Sequence, residues 1–250
     1  MSPAVRALLW KELRQLPRKR GALLSATIFP LFFLFLLPLG QGFGMGAVSP
    51  SSFAQIEGMP PLPGLAALAA DPRLLYREFT LPFFVAIGGL VVPAITATYS
   101  LISERERRSL ELLMALPVSL SQILWAKLIA VLVLASATTL PFFFLQQGIA
   151  VAHDLLTPTR VLVLLVVLLA AQAYSTASAL VVSLLARDYR TANNINGALL
   201  GPLIVVILAL LSLTPPGEAR LLLLSLGLGV LAAGCLVLGI RVISLERFLR

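Results

Sequence analysis

The chain has 250 residues, 59% of them hydrophobic and only 12% charged, with a mean hydropathy of +0.98. That polar fraction is too small to coat a soluble globule of this size, which excludes a soluble enzyme or binding domain and implies an integral membrane protein. The formal charge of +8 calls for topology and contact with anionic lipid before nucleic acid, because the position of the basic residues matters more than their sum. The lone Cys235 sits in an apolar run, so neither a disulfide framework nor a cysteine metal site can be built.

The chain reads as one transmembrane domain over residues 1–250. It opens with "SPAVRALLWKELRQLPRKRG", in which Val5, Leu8, Leu9, Leu13 and Leu16 share a helical face while Arg6, Lys11 and Arg14 fall largely elsewhere. This pattern predicts an amphipathic helix over 1–20 lying in the membrane interface, with Trp10 at headgroup level. Glu12 points toward the apolar side, where it meets a partner or snorkels. A spanning helix needs about 20 mostly apolar residues, and six stretches qualify: 22–39, 81–102, 123–147, 161–186, 197–214 and 221–240. The first follows a long basic leader and has no small-residue cleavage site after it, so it reads as an anchor.

Placing the N-terminus inside puts only Arg73, Arg77, Arg160 and Arg220 outside and every other lysine and arginine inside. The positive-inside bias thus favours both termini in the cytoplasm. Residues 40–80 become the longest external loop, rich in Gly and Pro ("GQGFGMG", "EGMPPLPGL"), and Gly40 with Gly44 reads as loop. The external segment "AHDLLTPTR" holds the only histidine, His153, beside Asp154; two such groups make an ordinary loop and not a metal site. In "ARDYRTANNINGALLGP", Asn193, Asn194 or Asn196 is expected to cap the fifth span.

The most informative stretch is "ISERERRSLELLMALPVSLSQILWAK". Five of the seven residues from Ser103 to Ser109 are charged, between two apolar runs. Written as a helix, Leu110, Leu113, Met114 and Pro117 form one apolar stripe ending at a proline. The i, i+4 pairs Glu104 with Arg108 and Arg107 with Glu111 contribute roughly 0.2–0.5 kcal/mol each, too little to explain the segment. Ser119 with Gln122 forms a capping box that starts span three. Spacing leaves two readings of 103–118: a solvated interfacial loop, or a rigid handle for a cytoplasmic partner.

Chemistry is scarce elsewhere. The sequence has no G-x-x-x-x-G-K-[ST], no H-E-x-x-H and no G-x-S-x-G, and no span carries an acid or base near its middle. A coupling residue of a secondary transporter is therefore missing. In-span polar residues are mild: Thr96, Thr98, Tyr99 and Ser100 in span two, Gln146 and Gln147 at the outer end of span three, and a cluster of Gln172, Tyr174, Ser175, Thr176 and Ser178 in span four. Most suit helix–helix contact. The span-four cluster is the first candidate for a pathway or a subunit interface.

The charged stretch resembles the signature of type-2 ATP-binding cassette (ABC-2 type) permeases, roughly E-[RK]-E-x-G-T-L-E-x-L-L-x-x-P-[VL]-[ST]-x-x-[EQ]-I-[LV]-x-x-K. Glu104, Glu106, Leu110, Glu111, Pro117, Ser119, Ile123 and Lys127 match at the expected spacing. The resemblance implies an all-α fold of six transmembrane helices with both termini cytoplasmic. It also implies a permease subunit, not an enzyme, in the cytoplasmic membrane that binds no cofactor of its own and exports a substrate. A second permease subunit and separate cytoplasmic ABC ATPase subunits, which carry ATP and magnesium, are the implied partners. Residues 103–118 would be the coupling segment, with Glu104, Glu106, Arg108, Ser109, Leu110, Glu111, Leu113, Met114 and Pro117 meeting the ATPase. Two departures stand out: Arg108-Ser109 replaces the family's Gly-Thr, and the external link between spans five and six is only "TPPGEAR". An ATP-independent transporter or channel and a membrane scaffold are the competing readings. Replacing export by lipid extraction or signalling is a further variant.

Overall fold

The structure, a computed structural model, describes residues 6, 9–11, 13, 14, 24, 27–42, 71–106, 120–186 and 188–242. Among them every regular element is helical. A π-helical stretch, Leu31–Leu36, runs into α1 (Leu37–Gly42). A short α2 (Pro72–Leu75) passes through a π turn, Tyr76–Thr80, into α3 (Leu81–Glu106). Then follow α4 (Leu120–Ala152), α5 (Pro158–Leu185), α6 (Tyr189–Leu213) and α7 (Glu218–Val242).

Among the described residues, five helices are long and apolar enough to cross a membrane: Pro72–Thr98, Trp125–Ala152, Pro158–Leu185, Tyr189–Leu213 and Glu218–Gly239. They coincide with expected spans two to six. The first expected span, 22–39, meets a shorter apolar helix, Thr27–Gly40. Gly40 is helical, whereas the sequence suggests a loop there.

Helix starts follow from capping chemistry. Asp71, Thr157 and Asp188 are extended residues whose side chains accept from the N–H groups of Arg73 (2.9 Å), Arg160 (3.4 Å) and Thr191 (2.8 Å). Pro72 and Pro158 occupy first-turn positions where a missing N–H costs nothing. Two expected boundaries move as a result. Span two begins at Pro72 and not 81, which turns the last part of the expected 40–80 loop into helix. The fifth span begins at Tyr189, and its cap is Asp188, not one of the asparagines. Asn196 is buried inside α6 and donates to Thr98 Oγ1 of α3 at 2.9 Å. Between α6 and α7 the turn closes on Gly217 at φ +149°, a backbone angle open to glycine.

Helix α5 is the hub, packed along α3 and α7 and touching α4 and α6. Its 28 residues reach about 42 Å, more than the ~30 Å apolar layer. Lipid tails are as apolar as leucine, so helices in a bilayer associate through close fit and polar contacts. Both occur here. Gly89 of α3 meets Ala171 and the Leu168 carbonyl of α5, and Gly239 of α7 meets Val181. One apolar core, with Leu90, Phe143, Leu164, Leu168, Leu211 and Leu228, fills the half containing α2, and a second, with Ala97, Val131 and Leu180, fills the other half. Leu9 and Leu13 of the N-terminal stretch pack against this second core, while Trp10 is exposed under the Arg14 guanidinium, 5.1 Å from the ring centroid. α6 and α7 present long apolar faces, among them Val205, Val206, Leu226 and Val230.

Candidate functional site

The charged island begins on the last turns of α3, where Glu104 and Glu106 lie. Arg108, Ser109, Leu110, Glu111, Leu113, Met114 and Pro117 lie outside the described residues, as does Ser119. α4 opens at Leu120, directly after the expected capping serine. The island therefore joins two membrane-crossing helices at one end of the bundle, here termed the inner end after the lysine and arginine distribution.

The span-four cluster is buried on α5 and splits into distinct roles. Gln172 joins α5 to α4: its Oε1 accepts from Ser136 Oγ at 2.9 Å and its Nε2 donates to Thr139 Oγ1 at 2.7 Å. Ser175 donates to the Leu90 carbonyl of α3. Thr176 bonds within its own helix, to the Gln172 carbonyl at 2.7 Å. Tyr174 is buried in the outer core. In the isolated subunit these groups are covered by α3, α4 and α7, in the manner of helix–helix contacts.

A second polar centre, not singled out in the sequence, occupies the outer end. Glu78, only 1% exposed, sits in the π turn. Its Oε2 is 2.8 Å from Arg160 Nη2 at the start of α5 and 2.9 Å from Arg220 Nη2 at the start of α7. The Gly217 N–H donates to the same oxygen at 3.1 Å, while Oε1 takes the Arg77 Nε at 3.0 Å. Arg160 also donates to the Arg77 carbonyl, and Arg220 to the carbonyls of Leu211 (2.9 Å) and Glu78. The local sequence explains the last bond. Pro82 has no N–H to offer the carbonyl four residues back, so the Glu78 carbonyl is open to Arg220.

Three of the four arginines assigned outside by topology thus converge on one carboxylate. Arg160 and Arg220 are buried and Arg77 is half exposed. The signal in the sequence was the acid Glu78 three residues ahead of an apolar run, in a chain with few acids. Beside it, Gln146 of α4 donates to the Tyr76 hydroxyl. Among the described residues, the buried side-chain atoms without a hydrogen-bond partner are Gln146 Oε1, both amide atoms of Gln147, and the Nε atoms of Arg160 and Arg220. All belong to this outer end. Chemically the centre is an ion-pair cluster: it holds and positions helices, and presents no nucleophile with a base. Among the described residues no group of three His, Cys, Asp or Glu side chains could hold a metal.

A protein-family model described as "ABC-2 family transporter protein" matches residues 6–220. The chain belongs to this ABC-2 transporter family. It is therefore a multi-pass membrane protein and a membrane subunit of an ABC transporter, working in a lipid bilayer beside an ABC ATPase. Comparison with curated proteins and with solved structures gives no match. The matched region of the ABC-2 subunit contains the charged island and the outer ion-pair cluster alike.

Proposed function

We propose that the chain is the six-span transmembrane subunit of an exporter in the cytoplasmic membrane. It has both termini inside, pairs with a second permease subunit, and is driven by ATP hydrolysis on separate ATPase subunits. The observation that carries this reading is the signature segment 103–118 joining α3 to α4 within the family match. A short charged lever at that junction moves two membrane-crossing helices together when an ATPase pushes on it. Glu104, Glu106 and Glu111 offer charge to the ATPase, Arg108 and Ser109 adjust the fit, and Leu110, Leu113 and Met114 supply an apolar docking stripe ended by Pro117. The shorter helix Thr27–Gly40 forms the described part of the first span. Gln172, Tyr174, Ser175 and Thr176 are the residues around which a pathway would form if α5 parts from α4.

The test is co-expression with candidate ATPase subunits and purification through a tag on the permease. Wild type captures an ATPase, and the double substitution Glu104→Ala with Glu111→Ala lowers capture about tenfold, the size expected for losing two charged contacts. Equal capture and equal hydrolysis in the double variant would sink the assigned role of the segment.

A further inference from the structure

The outer ion-pair cluster is more than the family match or the coupling segment requires. One carboxylate oxygen, Glu78 Oε2, receives Arg160 from α5, Arg220 from α7 and the Gly217 N–H from the α6–α7 turn. Displacing that single side chain therefore breaks three of the contacts that tie the π turn to α5, α7 and the turn between α6 and α7, leaving the bonds from Arg160 and Arg220 to the Arg77 and Glu78 carbonyls. We propose that Glu78 is the keystone of an outer latch, and that its release from Arg160 and Arg220 opens the outer half of the subunit to water. The inference rests on the reading of the chain as a transport subunit.

Three further observations separate a latch from a static clamp. First, Glu78 is carried by a π turn, Tyr76–Thr80, closed by the Leu81 N–H on the Tyr76 carbonyl. Such turns sit inside helices as one extra residue. Rewinding it as α-helix would turn the residues before it by about 100° around the axis relative to α3, and would carry Glu78, inside the turn, part of that way from both guanidinium groups. A turn open to both windings is the two-state element that the proposed switch requires.

Second, the closed arrangement is left incompletely satisfied. Two buried guanidinium groups share one buried carboxylate, and five buried polar atoms of Gln146, Gln147, Arg160 and Arg220 lack partners. Unpaired buried polar atoms raise the free energy of the state that holds them, and water entering an open outer end satisfies them all. Third, Pro93 interrupts α3 and Pro141 interrupts α4, whereas no proline lies within α5 beyond its first turn. Those prolines break the helical hydrogen-bond ladder, so the outer segments of α3 and α4 can bend against α5, whose ladder has no proline break beyond the first turn.

The test reads water access at Gln147, buried on α4 next to Gln146, whose amide donates to Tyr76 of the π turn. Gln147→Cys is introduced with Cys235→Ala, removing the only native cysteine, and cells are treated with a charged, membrane-impermeant maleimide. Labelling is slow in this background and rises about tenfold when Glu78→Gln is added, as a minor open state becomes a major one. Arg160→Gln and Arg220→Gln raise it in the same direction. Glu78→Asp keeps the charge one methylene short and gives an intermediate rate, so the idea stays testable if the glutamine variant does not fold. Baseline labelling in Glu78→Asp, or in the folded glutamine variants, overturns the latch. The measurement needs no ATPase, so failed capture of an ATPase counts against the transport reading alone.

Discussion

Gly89 of α3 faces Ala171 of α5 so closely that a Cβ built on the glycine would stand 2.8 Å from the alanine Cβ and 2.9 Å from the Leu168 carbonyl oxygen. The second neighbour is backbone and cannot rotate away. Gly89→Ala is therefore expected to cost about 1–3 kcal/mol, the range for overpacking a closed contact. Thermal unfolding in detergent checks it. Ala171→Gly in the same chain should restore only part of the loss, since the carbonyl stays in place. Gly201→Ala on α6, with nothing within 4 Å, is the neutral control.

Gln172 is the polar tie between α5 and α4. Thr139 Oγ1 accepts from Gln172 and donates its own proton to the Ala135 carbonyl at 2.8 Å, so donors and acceptors match along the chain of bonds. Interhelical hydrogen bonds in membranes are worth roughly 0.6 kcal/mol on average and up to about 2. Gln172→Leu is expected to destabilise the subunit within that range. A double-mutant cycle with Thr139→Val should return a coupling near the average value, and zero coupling would show that the bond contributes nothing.

Spans two to six were legible because twenty-residue apolar runs leave little choice in a bilayer. The capping signals near their ends were harder to read. Asp71-Pro72 is a helix start by the same logic as Thr157-Pro158, but it is preceded by a Gly- and Pro-rich stretch that reads as loop throughout. Once α2 is missed, Glu78 becomes a loop acid, and its partner Arg220, 142 positions later, has no local trace in sequence. Periodicity and spacing report neighbours on one helix; they are silent on which helix ends meet. The asparagines of α6 show the opposite error. Their type suggests a cap, yet Asp188 had the better geometry, three residues before Thr191, and Asn196 spends its amide on Thr98.

That last bond has a consequence at the inner end. Thr98 Oγ1 accepts from Asn196 and donates to the Ala94 carbonyl at 2.8 Å, joining α6 to the helix that leads into the charged segment. Asn196→Leu should loosen α6 from α3 by roughly 1 kcal/mol. Hydrogen exchange at 189–200 should rise while exchange in α5 stays unchanged. Equal exchange in both forms would contradict the tie.

Asp188 makes the start of α6 sensitive to acid. The Thr191 backbone N–H, and then the Thr191 hydroxyl at 2.9 Å, hold its carboxyl below the usual carboxylate range. A value lower in the folded than in the unfolded chain means that the cap's contribution is present above the unfolded value, about 3.9, and is lost as pH falls through the folded one. Protease cutting at Arg190 should therefore stay slow at neutral pH and accelerate only in acid. Asp188→Asn retains the capping oxygen without titrating, so its cutting rate should not change with pH; Asp188→Ala should be cut quickly at every pH.

Arg220 and Arg160 share a carboxylate but use it differently, which makes their lysine variants unequal. Arg220 divides its contacts between two nitrogens, Nη1 on the Leu211 carbonyl and Nη2 on Glu78. Arg160 makes both of its contacts, to Glu78 Oε2 and the Arg77 carbonyl, through Nη2 alone. An ammonium is a single point donor, so it can stand in for one guanidinium nitrogen and not for a fork. Arg160→Lys is expected to retain both bonds with modest loss. Arg220→Lys must give up either the end of α6 or Glu78, and should cost about 1–2 kcal/mol more, a charge-assisted bond being the one at stake. Paired melting curves of the two variants decide the matter: equal loss would mean that the bond to Leu211 adds nothing to the cluster.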